Sequence, residues 1–384
     1  MDRTTQARLV ARIRELVATR STDLAPATYR VPAADYTSAD MLAREVADVF
    51  LKRPVLAGLS GDARAPGDWF SFEGCGRSVV VWHHPDGQLR GFVNACRHRG
   101  MRVASGCGRA RLLVCPYHSW SYAPDGTLNA IPGEEGFSDV DRTGMGLTPV
   151  AVREEAGLVF VGLDPAVAID DATLLEGAAA ELGPFDLGAY HQVERRTHRF
   201  PTNWKLCIDS FLESYHLHAL HKETLRPLFH GDLSAFDAFG RHCRIVGVRR
   251  TFDRLAADSA DGTDLLPHVT LLYQLFPNAI LIYQQDHLEL YQSFPDLRDP
   301  DACEVRVTLY APTAPVTDAE RAHWKKNLDL VDSVTSTEDF AACAAIQTNL
   351  RAGAVPFLVL GRNEPGVAHF HRSLHAALGV RPAH

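Results

Sequence analysis

Two short segments constrain this chain more than anything else in it: Cys96-Arg97-His98 and, after sixteen intervening residues, Cys115-Pro116-Tyr117-His118. Each offers one thiolate and one imidazole, and each lies beside β-rich sequence. Two hairpin loops facing each other would therefore present two Cys and two His to one metal centre. Zinc accepts such a set as a tetrahedral structural site. A common zinc-finger order, however, has two Cys followed by two His, whereas here the types alternate. Alternation lets one iron of a [2Fe–2S] cluster take both thiolates and the other both imidazoles. Cys107, flanked by Gly106 and Gly108, reads as a bystander in the intervening loop.

The rest of the chain must be folded around that centre, and its composition is ordinary for a globular protein: 46% hydrophobic and 22% charged residues over 384. A net charge of −8 argues against non-specific nucleic-acid binding, which needs basic patches. No apolar run reaches the roughly 18 residues of a membrane span. The N-terminus lacks the apolar core of a secretory signal, so a reducing, cytoplasmic setting is expected for the eight Cys. Its Leu9, Ile13, Leu16 and Val17 instead fall on one face of an amphipathic surface helix, although a mitochondrial presequence has the same look.

Three regions are expected. Residues 1–49 read as helices, with Ser38 capping a helix whose Leu42, Val46 and Val49 share a face. Residues 50–165 read as a small all-β domain, with strands at Ser78–Trp82, Arg90–Asn94 and Leu158–Leu163 and turns at His84-Pro85-Asp86-Gly87 and Pro124-Asp125-Gly126. Residues 166–384 mix helices (Ala172–Leu182, Cys207–His221, Asp318 to about Ala345, and a closing one) with strands. The strands are placed at Gln192–Phe200, Arg244–Phe252, Val269–Phe276, Ile280–Gln284, Leu288–Phe294 and Glu304–Tyr310. The fold class is α+β, an antiparallel sheet wrapped on helices.

Within the third region, Asp209-Ser210-Phe211-Leu212-Glu213-Ser214-Tyr215-His216-Leu217-His218-Ala219-Leu220-His221 is dense in ligand types. Two imidazoles and one carboxylate on one face of an iron leave its other positions open. Spacing alone gives a slight edge to His218 and His221, which suit one helical face, whereas His216 and His221, five apart, require a helix end or a π-type irregularity.

The stretch NACRHRGMRVASG…LLVCPYHSWSYAPDGTL resembles the Rieske domain of aromatic-ring-hydroxylating oxygenase α subunits, over about residues 50–165. Ser119 stands where Gly is common. The segment from Asn203-Trp204-Lys205 to His221 is similar to the same family's iron motif, with Asp209 and Ser210 where Glu and Asn are usual. The resemblance implies [2Fe–2S] ligation by Cys96, His98, Cys115 and His118, and mononuclear Fe(II) ligation by His216 and His221. A late carboxylate completes the second set, Asp339 with Glu338 as the alternative. His218 is left as a pocket residue. The same resemblance implies a helix-grip catalytic domain and makes Glu213 a bridge from one subunit's iron site to His118 of a neighbour in a trimer. It also implies O2 as co-substrate and electrons from a separate NAD(P)H reductase or ferredoxin. The chain has no complete Gly-x-Gly-x-x-Gly unit of its own to bind a dinucleotide.

Pocket candidates between the iron segment and the sheet are Phe211, Leu217, His218, Leu220, Tyr273, Phe276 and Tyr283. Hydroxylation of an aromatic or other apolar small molecule is the leading expectation. The alternative is monooxygenation of a methylammonium compound, because Glu338-Asp339-Phe340…Gln347…Leu350-Arg351…Gly361-Arg362-Asn363-Glu364 resembles the choline, carnitine and betaine oxygenase branch. A reading from another class is a Rieske electron carrier with a binding domain.

Overall fold

The computed structural model describes residues 1–170, 174–255 and 265–380. The chain forms two compact units. The larger comprises Met1–Val49, Leu175–Phe185 and Tyr190–His384, and the smaller comprises Phe50–Leu174 with Asp186–Ala189. Residues 166–170 and Leu174 thus group with the smaller unit.

The smaller unit is all β. A five-stranded antiparallel sheet orders Pro149–Val150, Leu89–Val93, Arg77–His83, Asp68–Gly74 and Cys107–Arg109, and two three-stranded sheets complete it. Val79 to Trp82 form a continuous buried run, whereas Phe70 and Phe72 alternate with half-exposed neighbours, as a strand with one face on the core requires. The strands expected at 78–82, 90–94 and 158–163 are present within one or two residues at each end. The core gathers Trp82, Phe92, Trp120 and Tyr122 around Cys96 and Cys115.

The larger unit is built on a seven-stranded antiparallel sheet: β1 (His191–Phe200), β2 (Phe229–Phe239), β3 (His242–Arg249), β4 (Val269–Leu275), β5 (Ala279–Tyr283), β6 (Leu288–Pro295) and β7 (Cys303–Ala311). Their spatial order is β1-β7-β6-β5-β4-β3-β2. Helices that accompany it include α1 (Arg3–Thr19), α2 (Trp204–Asp209), α3 (Asp318–Val334), α4 (Phe340–Arg351) and α5 (Pro365–Leu378). Helix α1 buries Leu9, Val10, Ile13 and Leu16, and Ser38 caps a short helix by accepting from the Met41 N–H.

Three expected helices are shorter or broken. The stretch Cys207–His221 is not one helix: α2 stops at Asp209, and a separate 3₁₀ turn covers Tyr215–His218. The helix from Asp318 is interrupted by a π segment, Thr335–Asp339, before α4. Of Ala172–Leu182 only Ala178–Leu182 is helical, and residues 172–173 lie outside the described residues. Strand β2 was absent from the sequence reading. Its Gly231 and Asp232 resemble a turn, and the pairing does shift register between Phe229 and Ser234, with Asp232 at φ +57°.

Candidate metal centres and cavity

The two loops of the smaller unit are built alike. In one, the Cys96 N–H donates to the Met101 carbonyl and the Gly100 N–H donates back to the Cys96 carbonyl. In the other, Cys115 donates to Trp120 and Ser119 donates to Cys115. The fifth residue of each loop is left-handed, Gly100 at φ +77° and Ser119 at +59°. Ser119 therefore occupies a conformation that glycine adopts without steric cost. Asn94 fixes the first loop, accepting from the Val103 and Ala104 N–H groups at 3.0 and 3.1 Å.

Cys96 and Cys115 are buried, while His98 is half-buried and His118 exposed. Burial pushes the Cys96 thiol above its ordinary range, and Tyr122, whose hydroxyl lies 3.2 Å from Cys96 Sγ, partly offsets this. A bound metal deprotonates such a thiol outright. The imidazoles meet with their Nδ1 atoms 3.1 Å apart, and His98 stacks on Trp120 at 4.9 Å and 8°. Two nitrogens on one tetrahedral metal, each about 2.0–2.1 Å from it, lie about 3.4 Å apart. Thiols inside and paired imidazoles outside fit a cluster with one iron toward each.

In the larger unit, His216, His221 and Asp339 offer ligand atoms that all lie within 4.8 Å of one another. Asp339 Oδ1 is 3.3 Å from His216 Nε2 and 3.1 Å from His221 Nε2. The other nitrogen of each ring meets a second carboxylate. His216 Nδ1 pairs closely with Glu213, which also accepts from the His216 N–H at 3.1 Å. His221 Nδ1 pairs with Glu338 at 2.7 Å, and the Thr224 hydroxyl donates to the same Glu338 oxygen at 3.0 Å. Each imidazole thus points Nε2 at a common centre and is oriented through Nδ1, the arrangement that metal-binding histidines adopt.

Burial would lower the His216 pKa, but Asp339 and Glu213 overcome it and push it up to about 10. His221 rises against burial for the same reason, through Asp339 and Glu338, and Asp339 falls. Three carboxylates, Glu213, Glu338 and Asp339, thus surround two imidazoles. The donor set fits a divalent iron with open positions.

Local structure explains how these residues meet. Asn203 caps α2 by accepting from the Lys205 N–H, and Lys205 Nζ pairs with Glu45 at 2.6 Å, both fully buried. Trp204 Nε1 donates to the other Glu45 oxygen at 2.7 Å. Removing one partner of such a buried pair costs about 3–5 kcal/mol. The break after α2 brings His216 and His221, which no single helical face could present together, to one centre. The π segment carries Glu338 and Asp339 onto the two nitrogens of a single ring. The role of Glu338 was missed in the sequence, where adjacency on a helix set it against Asp339 as a rival; its signal was the acidic pair itself.

Asp209 does not reach this cluster. It accepts from the Tyr36 hydroxyl at 2.8 Å and pairs with His371 Nε2 at 2.9 Å, and Ser210 Oγ donates to the Cys207 carbonyl.

A cavity of about 410 Å³ opens beside the cluster, reaching Glu213, His216, His221 and Asp339. Of the seven pocket candidates, Phe211 and Leu217 line it. His218, Leu220, Tyr273, Phe276 and Tyr283 do not. Strand alternation is the reason. Leu272 and Ile282 face the cavity, so Tyr273 and Tyr283 face away, where both pack on Phe185. Phe276 lies under the Arg241 guanidinium, His218 adjoins Gly231 of β2, and Leu220 is 37% exposed.

Comparison with known proteins agrees with this architecture. The ring hydroxylating alpha subunit (catalytic domain) family matches residues 187–379, and the Rieske [2Fe–2S] domain family matches residues 54–143. The carnitine monooxygenase oxygenase subunit of Escherichia coli K12 is 34% identical over 200 residues, 50% of this chain and 52% of that protein. The glycine betaine monooxygenase oxygenase subunit of Pseudomonas aeruginosa (strain UCBPP-PA14) is 32% identical over 207 residues, 53% and 48% of the two chains. These matches span about half the length of each relative. A crystal structure of the quaternary ammonium Rieske monooxygenase CntA has the same fold, at TM-score 0.78 and 22% identity over 92% of this chain and 96% of that one. Among the described residues no helix is long and apolar enough to cross a membrane. The chain belongs to the ring hydroxylating alpha subunit family and carries a Rieske [2Fe–2S] domain ahead of its catalytic domain.

Proposed function

We propose that this chain is the terminal oxygenase component of a multicomponent system. It uses O2, and electrons from a separate NAD(P)H reductase or ferredoxin, to monooxygenate a quaternary ammonium compound. The observation that carries the oxygenase reading is the convergence of His216, His221 and Asp339 at one end of an internal cavity. The relatives named above favour the methylammonium alternative over the aromatic expectation.

His216, His221 and Asp339 would hold an iron that offers open positions for O2 beside the substrate, and Cys96, Cys115, His98 and His118 would hold the cluster that supplies electrons. The chain's own groups do the rest. Glu213 and Glu338 fix the two imidazoles as neutral Nε2 donors. Phe211 and Tyr291, with ring centroids 4.7 Å apart, present aromatic faces at the metal end of the cavity, suited to an ammonium group. Hydroxylation of a carbon bonded to nitrogen places one oxygen atom in the product, and the other leaves as water with two electrons and two protons. The hydroxylated ammonium compound then breaks to a tertiary amine and a carbonyl compound, releasing a proton.

Glu213 has a second proposed role, as the bridge through which a neighbouring copy's His118 is coupled to His216. Supporting it are the exposure of His118 and the grip of Glu213 on His216 Nδ1. Glu213→Gln is expected to keep three irons per chain while uncoupling reduction from oxygenation.

The test of the function is iron per chain, with electron paramagnetic resonance of the anaerobically reduced protein with and without nitric oxide. A Rieske signal plus a high-spin iron–nitrosyl signal, followed by O2-dependent tertiary amine release in a reconstituted system, is the expected result. Two irons and no nitrosyl in fully loaded protein would leave an electron carrier, and ring hydroxylation without amine release would restore the aromatic reading.

A further inference from the structure

The cavity runs along the strands, and the sheet register divides its wall into rows. Tyr291 stands opposite Ile280 at the metal end. Next come Ile245, Leu272, Ile282 and Glu289, paired in that order across β3 to β6. Gly247 and Thr270 follow, with Gln284 beside them, and then Arg249. Arg249 is four residues beyond Ile245, about 13 Å along the strand.

Arg249 is half-buried in this wall, and its partners among the described residues are neutral. One guanidinium nitrogen donates to Gln284 Oε1 at 2.7 Å and Thr270 Oγ1 at 3.0 Å. Nε, buried, has no hydrogen-bond acceptor, and the Phe229 ring lies 5.1 Å away. The nearby carboxylates are committed elsewhere. Glu289 accepts from Gln284 Nε2 at 3.0 Å and pairs with His287 Nε2 at 3.2 Å. Asp286, paired with the other nitrogen of His287, is 59% exposed and so largely solvated. Burial works against charge on His287, but Glu289 and Asp286 outweigh it and hold the ring protonated above its ordinary range. The half-buried Arg249 guanidinium therefore has no carboxylate of its own among the described residues at this end of the cavity. A half-buried guanidinium with a buried, unused Nε donor suits a planar anion.

We propose that Arg249 receives a carboxylate of the substrate, so that the site takes a zwitterion with its ammonium beside the paired Phe211 and Tyr291 rings and its carboxylate toward the far end. This rests on the quaternary ammonium reading above. Gln284, bonded to both Arg249 and Glu289, holds the guanidinium in place and keeps Glu289 from claiming it.

The test is equilibrium binding by calorimetry to the iron-loaded protein. A trimethylammonium carboxylate and the trimethylammonium alcohol of equal chain length are compared on wild type, Arg249→Gln and Arg249→Lys. Wild type is expected to favour the carboxylate by roughly 10–100-fold, the range of charge-assisted hydrogen bonds. Arg249→Gln should bring the ratio close to one, and Arg249→Lys should keep part of it, retaining the charge without the fork. A wild-type ratio near one, or an unchanged ratio in Arg249→Gln, overturns the proposal. If Arg249→Gln does not fold, the wild-type ratio and Arg249→Lys decide it. Failure of the parent reading looks different: neither ammonium compound binds. Benzoate and benzyl alcohol then replace them, and an Arg249-dependent preference for benzoate upholds the carboxylate site without the ammonium.

Discussion

The two metal-binding regions solve one problem in opposite ways. In the smaller unit all four proposed ligands come from two loops of one β domain, between Cys96 and His118, and each loop is closed by its own backbone hydrogen bonds. The thiols are buried and the imidazoles reach the surface. In the larger unit the proposed ligands are distant in sequence, His216 and His221 against Asp339, and they are buried or half-buried. There, side-chain carboxylates rather than loop geometry set the orientation. An electron-transfer centre needs access, and local loops at a sheet edge give it. A centre that binds O2 beside a substrate needs a cavity, and only packing between distant elements encloses one.

The sharpest break in that comparison is Asp339→Ala. It removes the one ligand that the late helix contributes, so the protein is expected to lose one iron of three and all oxygenation while its Rieske absorption stays intact. Loss of the cluster as well would show that the two centres are not independently assembled. Glu338→Gln comes next. The His221 ring keeps a partner but loses the anionic acceptor on Nδ1, and iron affinity at the mononuclear site should fall by roughly 10–100-fold, read by competition with a chelator. Unchanged affinity would mean that burial alone orients the ring. The smallest effect is in the loop. Ser119→Gly relieves a left-handed backbone at φ +59°, and should stabilise the smaller unit by about 1 kcal/mol, seen as a higher melting temperature of the cluster absorbance with an unchanged spectrum.

Legibility in the sequence followed the same division. The Cys-x-His and Cys-x-x-His loops were readable because ligand spacing there is a local property, and the strands around them alternate or run apolar as burial requires. The catalytic sheet was readable strand by strand, except for β2, whose Gly231 and Asp232 mark a register shift rather than a turn. Spacing left the imidazole pair of the second centre open, and no periodicity announced that α3 and α4 would be joined by a π segment at Thr335–Asp339. Of the aromatic pocket candidates, Phe211 lines the cavity, and those on strands missed it for want of register. Tyr273 and Tyr283 are correct in type, but they stand on the far face of their strands.

By itself, then, the sequence determined what chemistry the chain could hold: thiolates and imidazoles at cluster spacing, a His-rich segment, and a late acidic pair. Those are choices of residue type and short spacing, and covalent connectivity transmits them directly. The tertiary structure decided which carboxylate joins His216 and His221, which one steadies His221, and which charged residue reaches the cavity. Each of those depends on the face a side chain takes, and a single residue of register or one π turn reverses it.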